Sequence, residues 1–596
     1  MPNKTSMNDI GKISRYLFYI LLFIPIFFGG GTKELYEFPK TTALYVVGGL
    51  MILLFILGRI GRKTTLTIPN TYVVLFVLIS GVATILSSHR YTSLWGYYSR
   101  FNGGLISTLI LFGIYIVVLN KKESYKKLAI EIPLLSAIPI TLYSIFQHFS
   151  GTERAYATLG QPNWLAAYMV MLIPIMIERY IEGDRKMIVL YALAFSSLWF
   201  TYSLSGILGF LVAIIATFLR IKPFPKKSLA VISLITLFIA LTSPGIFKEK
   251  LSDLWIDISG QLTLIRQASA SDEHALSDPG FIRFSAWRGT LDLIKSRPKI
   301  FLIGSGPQTF PYEFQKFRPK DLNYSSEWDF IINKPHNYYL ELWSEVGIIG
   351  LILCVVTLWQ SRKNPFLPGI AGYAVTNLFG WPVVPTAVLF WIWLAYSSKE
   401  DKTKEVRLPK ITGLIFIPLT FLIMYKALTY YSADVDLVMS MTKFKENKLD
   451  LSLSYITKAV KKNPNEPNYP KQAARIYTAK SAESPEAKAL ALENIEKAYA
   501  LNPGNLATKR DVIPLYFFLA VRDIKLPEGS DNTDSKYLPI AVNYFATLKN
   551  EYPTDAGTLV DIARYEKRID LESYEKTREM VENLRPDIIT WHESFR

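Results

Sequence analysis

The chain has 596 residues, half of them hydrophobic, and a formal charge of +16 at pH 7. Charged residues are sparse between Tyr16 and Leu428 and dense afterwards, so this is not an ordinary soluble chain. The lysines and arginines of the first part cluster in short loops between apolar runs, a pattern of membrane topology that excludes a basic nucleic-acid groove, and the single cysteine, Cys354, excludes an intrachain disulfide.

The N-terminal stretch MPNKTSMNDIGKISRY leads into an apolar run with no small-residue cleavage site and reads as a first transmembrane helix. A span needs about 20 mostly apolar residues. Thirteen segments are candidates: 15–31, 40–58, 67–87, 103–119, 128–147, 164–178, 187–202, 204–220, 228–246, 337–359, 366–380, 383–397 and 411–429. The pairs 187–202/204–220 and 366–380/383–397 are short and tightly joined, so twelve spans is the alternative. With the N-terminus in the cytoplasm, the inside loops carry 24 Lys and Arg, against five in the short outside loops: Lys33, Lys40, Arg90, Arg100 and Arg154. Thirteen spans place a long loop, 247–335, and everything after 430 outside the cytoplasm. The expected fold class is all-α, a polytopic membrane helical bundle followed by a soluble α-solenoid. The expected domains are 1–429, including the extracytoplasmic loop 247–335, and 430–596.

Within the long loop, Arg283, Trp287, Leu291 and Ile294 recur every three or four residues, so 282–296 reads as an amphipathic helix that ends before Pro298 and a Gly-Ser-Gly-Pro turn. Gly304-Ser305-Gly306 is not a phosphate loop, because no Gly-Lys-Ser/Thr follows. His336 stands where the loop enters the next apolar helix, beside Asn337 and Glu341. In the tail, SYITKAVKKNPNEPNY (454–469), ENIEKAYALNPGN (493–505) and YFATLKNEYPTDAGT (544–558) each read as a helix ending in Asn-Pro or Tyr-Pro before a polar turn. They resemble degenerate tetratricopeptide repeats, although the Pro-to-Pro spacings of 39 and 50 exceed the usual repeat of about 34. Asp434-Val435-Asp436 has no third ligand nearby, and no Cys/His cluster for zinc exists, so no metal site is expected.

An ordered set of residues carries a wider resemblance. Arg283, Trp287, Pro298, Gly304, Gly306, Pro307, Phe310, His336, Asn337, Leu340, Glu341, Gly347 and Gly350 look like the core of the O-antigen ligase family. Upstream, RAYATLGQPNWLAAY (154–168) resembles the family's Arg…Gly-Asn-Pro-Asn segment, with Gln161 in place of the first Asn, and GYYSRFNGGL (96–105) is similar to a further Gly…Arg-x-x-Gly stretch. Agreement runs over roughly 80–380. One departure stands out: the family places an Arg in a Thr-x-Ser-Arg-x-Gly turn, and TYSLSGILG (201–209) has Leu204 there.

The resemblance implies a metal-independent, cofactor-free glycosyltransferase of polysaccharide and cell-envelope synthesis. It would move a glycan from undecaprenyl diphosphate to a glycan, lipid or protein acceptor on the outer side of the cytoplasmic membrane. No nucleic acid is expected. The residue inventory suits that reaction. Arginines bind phosphate oxygens in pairs of hydrogen bonds, and Arg283, Arg154, Arg100 and Arg318 all map outside. A neutral histidine suits deprotonation of the acceptor, the role expected of His336. Asn337, Glu341, Asn163 and Trp287 are expected in support, the asparagines as hydroxyl ligands or helix caps. A polymerase of lipid-linked repeat units shares this chemistry and is the alternative. A transporter or flippase fits less well, because the spans carry few ionisable residues at mid-depth.

Overall fold

The computed structural model describes residues 4–98, 100–242, 279–397, 402–481, 484–522 and 532–588. The first part of the expected long loop, to residue 278, lies outside them. Each of the thirteen apolar segments contains a helix. Among the described residues, five helices are long and apolar enough to cross a membrane: Glu37–Leu57, Lys122–Phe149, Pro162–Ile181, Tyr338–Lys363 and Lys410–Lys445. Five more, Thr71–Ile85, Leu105–Leu119, Met187–Phe200, Leu204–Arg220 and Val384–Leu394, are apolar but shorter. The chain is therefore helical and of membrane type.

The helical structure carries one small two-stranded sheet. Lys63–Thr67 pairs antiparallel with Thr403–Arg407, with Lys63 opposite Arg407. The β-branched residues Thr64, Thr65 and Thr67 on one side and Thr403 and Val406 on the other suit paired strands. The pairing also holds together two loops that the charge pattern assigns to one side of the membrane.

The chain divides into two compact units. The first comprises Met1–Glu249, Leu302–Gln308 and His336–Tyr431, and the second Lys250–Phe301, Thr309–Pro335 and Ser432–Arg596. The expected division assigned the whole 247–335 loop to the membrane helices. Instead, most of its described residues cluster with the tail, held by contacts of long sequence separation. Helix Lys410–Lys445 runs past residue 429.

In the first unit, Pro162–Ile181 is the central helix, with every residue from Trp164 to Ile177 buried. A helix that is apolar all round belongs inside. Small residues bring its neighbours close. A Cβ on Gly206 would lie 2.6 Å from that of Ala166, and one on Gly209 would lie 2.8 Å from the Gly372 carbonyl oxygen.

In the second unit, helices Leu449–Lys462, Pro485–Leu501 and Leu538–Glu551 stop at Asn463, Asn502 and Tyr552, each followed by proline, which cannot continue the preceding helix. Asn505 and Asp555 then cap the following helices by accepting from the amides of Thr508 and Thr558. Arg318 is wholly enclosed here. It donates to the carbonyls of Phe330, Glu327 and Trp328 and lies 3.4 Å from Asp555. Arg585 donates to the Asn323 carbonyl, and Asn323 Nδ2 donates to the Thr554 carbonyl.

Candidate functional site

The site residues of the first unit stand on three short connections. The first follows helix Arg90–Trp95. Gly96, Phe101 and Gly103 all take positive φ, so the chain turns sharply before helix Leu105–Leu119 begins. Phe101 is buried, and its carbonyl accepts from the Tyr45 hydroxyl at 2.8 Å. Arg100 stands on this pinned turn. Its guanidinium carbon is 5.1 Å from the ring of Trp164 and 5.8 Å from that of Trp381. Each such contact is worth about 0.5–2 kcal/mol and holds the cation against the two rings.

The second connection precedes the central helix. Pro162 at the first helical position suits a helix start, because its missing N–H would have no partner there. Asn163 follows, and its Oδ1 accepts from Arg154 at 3.3 Å, while Arg154 Nε donates to the Thr201 carbonyl at 2.9 Å. Arg154 thus sits on the very turn in which Leu204 replaces the expected arginine. The Ser203 hydroxyl caps the helix that Leu204 opens.

The third connection enters helix Tyr338–Gln360. Asn337 caps it, accepting from the amides of Tyr339 and Leu340 at 3.0 and 3.2 Å. His336, just before the cap, is left-handed with φ 53, which for a non-glycine residue costs about 1 kcal/mol. Its ring lies 5.2 Å from that of Trp381, edge to face. His336 and Arg100 therefore share one tryptophan.

Glu341 is buried, and its described hydrogen bond is from Gln308 Nε2 at 3.3 Å, while Glu345 accepts from the Gln308 amide at 2.7 Å. The Gly304–Gly306 segment is a turn, packed on an interruption of the helix at Gly347, where φ is 80. A Cβ on Gly347 would lie 2.2 Å from the Leu302 carbonyl oxygen, and one on Gly304 would lie 2.1 Å from the Glu345 carbonyl carbon. These glycines serve close backbone approach.

Two ionisable side chains of this unit, Lys40 and Glu37, are buried. Lys40, counted from sequence as an outside loop cation, is fully enclosed and donates to the carbonyls of Tyr36 and Thr158 at 2.7 and 2.8 Å. Glu37 accepts from the Val384 amide at 2.9 Å. The pair ties together the chain segments leading to Trp164 and away from Trp381.

The other expected site residues belong to the second unit. Arg283 and Trp287 stand one turn apart on helix Pro279–Lys295. Burial pushes the Glu327 carboxyl up, and the charges of Arg318 and Arg283 oppose that shift. Arg318 is a correction. Its guanidinium is spent on three carbonyls and Asp555, so it is a structural arginine and leaves the donor set. Sequence reasoning missed Trp164, Trp381 and Gln308. A tryptophan at the end of a span reads as an interface anchor, and nothing local distinguishes one that carries an arginine.

The segment from helix Met187–Phe200 to helix Tyr338–Gln360 thus contains a capped histidine, a glycine turn and a helix interrupted to receive it. Residues 189–355 match the O-antigen ligase family model. The match includes Arg283, Trp287, His336, Asn337 and Glu341, while Arg100, Arg154 and Asn163 lie before it. No curated protein matches the chain. Together with the apolar helices, the O-antigen ligase match supports a multi-pass membrane protein acting on lipid-linked glycans as a ligase- or polymerase-like glycosyltransferase.

Proposed function

We propose that the chain transfers a glycan from undecaprenyl diphosphate to an acceptor hydroxyl on the outer face of the cytoplasmic membrane. The observation that carries this reading is the sharing of Trp381 by His336, at 5.2 Å, and Arg100, at 5.8 Å. A base and a cation are thereby gathered at one place.

The donor is already activated, so the enzyme must stabilise a departing diphosphate and remove a proton. His336 takes the proton of the acceptor hydroxyl. The acceptor oxygen attacks the anomeric carbon, and the bond from that carbon to the phosphate oxygen breaks. Arg100 and Arg154 bind the undecaprenyl diphosphate that leaves, through charge-assisted hydrogen bonds that strengthen as its charge develops. Arg154 takes the place vacated at Leu204, since the Thr201 carbonyl and Asn163 hold it on that turn. Positive charge comes from arginine, so no metal is required, and activity should survive EDTA. The apolar helices hold the polyprenyl tail. The tail domain is read as tetratricopeptide-like, lying outside the cytoplasm and presenting the acceptor, a role that favours ligase over polymerase.

Deleting the gene and comparing lipid-linked with finished surface glycan tests the reading. Accumulated full-length donor is expected. Accumulated single repeat units would assign the polymerase instead, and unchanged glycans would overturn both. A positioned general base is worth about 10²–10⁴-fold, so His336→Ala should lower the transfer rate by that factor. Full activity with normal protein levels would remove His336 from the mechanism.

A further inference from the structure

The first unit holds a polar cavity, of about 660 Å³, that none of the proposed reaction residues lines. Its walls come from residues 11–15, Thr67 and residues 119–125. Among the described residues, they present Lys12, Arg15, Lys121 and Lys122 together with the carboxylate of Glu123.

Basic loops on one side of a membrane protein are ordinary, and solvated lysines spread apart in water. Two features here go further. First, the walls are pinned. The Ser14 hydroxyl bonds that of Tyr125 at 2.7 Å, and the Phe18 and Tyr125 rings stack at 4.3 Å. Asn120 accepts from the Thr67 amide at 2.9 Å and donates to the Ile116 carbonyl at 2.8 Å. Second, the cations crowd. Burial holds the Lys121 ammonium below the usual lysine range, and the charges of Arg59 and Arg15 add to that effect. Arg59 is itself fixed, 3.7 Å over the Phe55 ring. Like charges held at close quarters on a rigid wall are relieved by an anion.

We propose that this cavity binds a phosphate-bearing anion, the headgroup of an anionic phospholipid in the leaflet that the 1–15, 59–66 and 120–127 loops face. The volume admits a phosphate with its glycerol and some water. The apolar second half of helix Lys4–Phe23, where Tyr16 and Ile20 are exposed, would flank the acyl chains. The site is independent of the transfer reaction proposed above.

The test is native mass spectrometry of the full chain, carried through mixed phosphatidylglycerol and phosphatidylcholine, with and without inorganic pyrophosphate. The wild type should retain phosphatidylglycerol in preference. Arg15→Gln with Lys121→Gln removes two charge-assisted contacts and should lower that retention about tenfold or more. Lys226→Gln with Lys227→Gln, in another basic loop, should change it by less than about twofold. Retention that resists pyrophosphate assigns a lipid headgroup, and displacement by pyrophosphate assigns a site open to soluble phosphates as well. Equal loss in both double variants, or no preference in the wild type, would overturn the proposal. Melting in phosphatidylcholine alone checks that the Arg15/Lys121 variant folds. If it does not, the wild-type preference decides the matter by itself.

Discussion

Replacing Arg318 by methionine separates a structural arginine from a donor-binding one. The Arg318 side chain is 0% exposed and that of Asp555 is 2% exposed, with 3.4 Å between them. Burial lowers the guanidinium pKa and Asp555 opposes the shift, so the two charges depend on one another. Arg318→Met leaves the Asp555 carboxylate buried and takes donors from the carbonyls of Phe330, Glu327 and Trp328. Removing one partner of a buried pair costs about 3–5 kcal/mol, roughly a fifth or more of a typical domain's stability of about 5–15 kcal/mol. Asp555 keeps part of its role, because it still caps helix Ala556–Ile569. The assay is thermal unfolding of the full chain with hydrogen exchange read over residues 309–335 and 554–569. Early opening of those peptides is expected, with an unchanged donor KM in whatever enzyme stays folded. Arg318→Met combined with Asp555→Asn should cost less than the sum of the two single changes, by about 1 kcal/mol or more. A normally stable Arg318→Met enzyme with a raised donor KM would refute this account and return Arg318 to the donor site.

Arg100→Lys keeps the charge but loses the flat guanidinium stacked on the two tryptophans, and Arg154→Lys loses the paired geometry toward Thr201 and Asn163. Each should cut kcat/KM for the lipid-linked donor by about tenfold or more, measured in membranes with purified donor. Arg283→Ala is expected to raise the donor KM, and an unchanged KM would drop it from the donor set.

Burial pushes the Glu466 carboxyl up to about 7, with nearby Asp434 adding to the effect and Lys471 opposing it. The folded state then keeps a proton that the unfolded chain has lost. Stability is therefore full below about pH 4.5 and falls by about 3 kcal/mol as pH rises to about 7. Glu466→Gln should abolish that slope in hydrogen exchange of residues 449–480, and an unaltered slope would contradict the shift. For topology, Lys480→Cys gives up a surface pair with Asp450. Labelling it in intact cells with a membrane-impermeant reagent should succeed, and labelling from the cytoplasmic side alone would refute the thirteen-span arrangement.

Much of the candidate site was legible because its motifs are local. Asn337 could be read as a cap and Gly304-Ser305-Gly306 as a turn, since both depend on residues a few positions apart. The partners of Arg100 could not be read. Trp164 and Trp381 are far from it in the chain, and a tryptophan at a helix end carries the same local pattern whether it meets lipid or a guanidinium. Arg318 misled for the same reason. An arginine in a loop looks solvated until the fold encloses it beside Asp555.

The sequence by itself determined the membrane character, the positions of the apolar helices and the helix ends in the tail. Each of these follows from hydrophobic runs, charge placement and proline, which act over one or two helical turns. Only the tertiary structure decided which cations are spent and which remain available. Lys40 and Arg318 are enclosed by carbonyls and carboxylates, while Arg100 rests on aromatic faces. That distinction depends on burial and on partners more than a hundred residues away, and a chain read in order does not contain it.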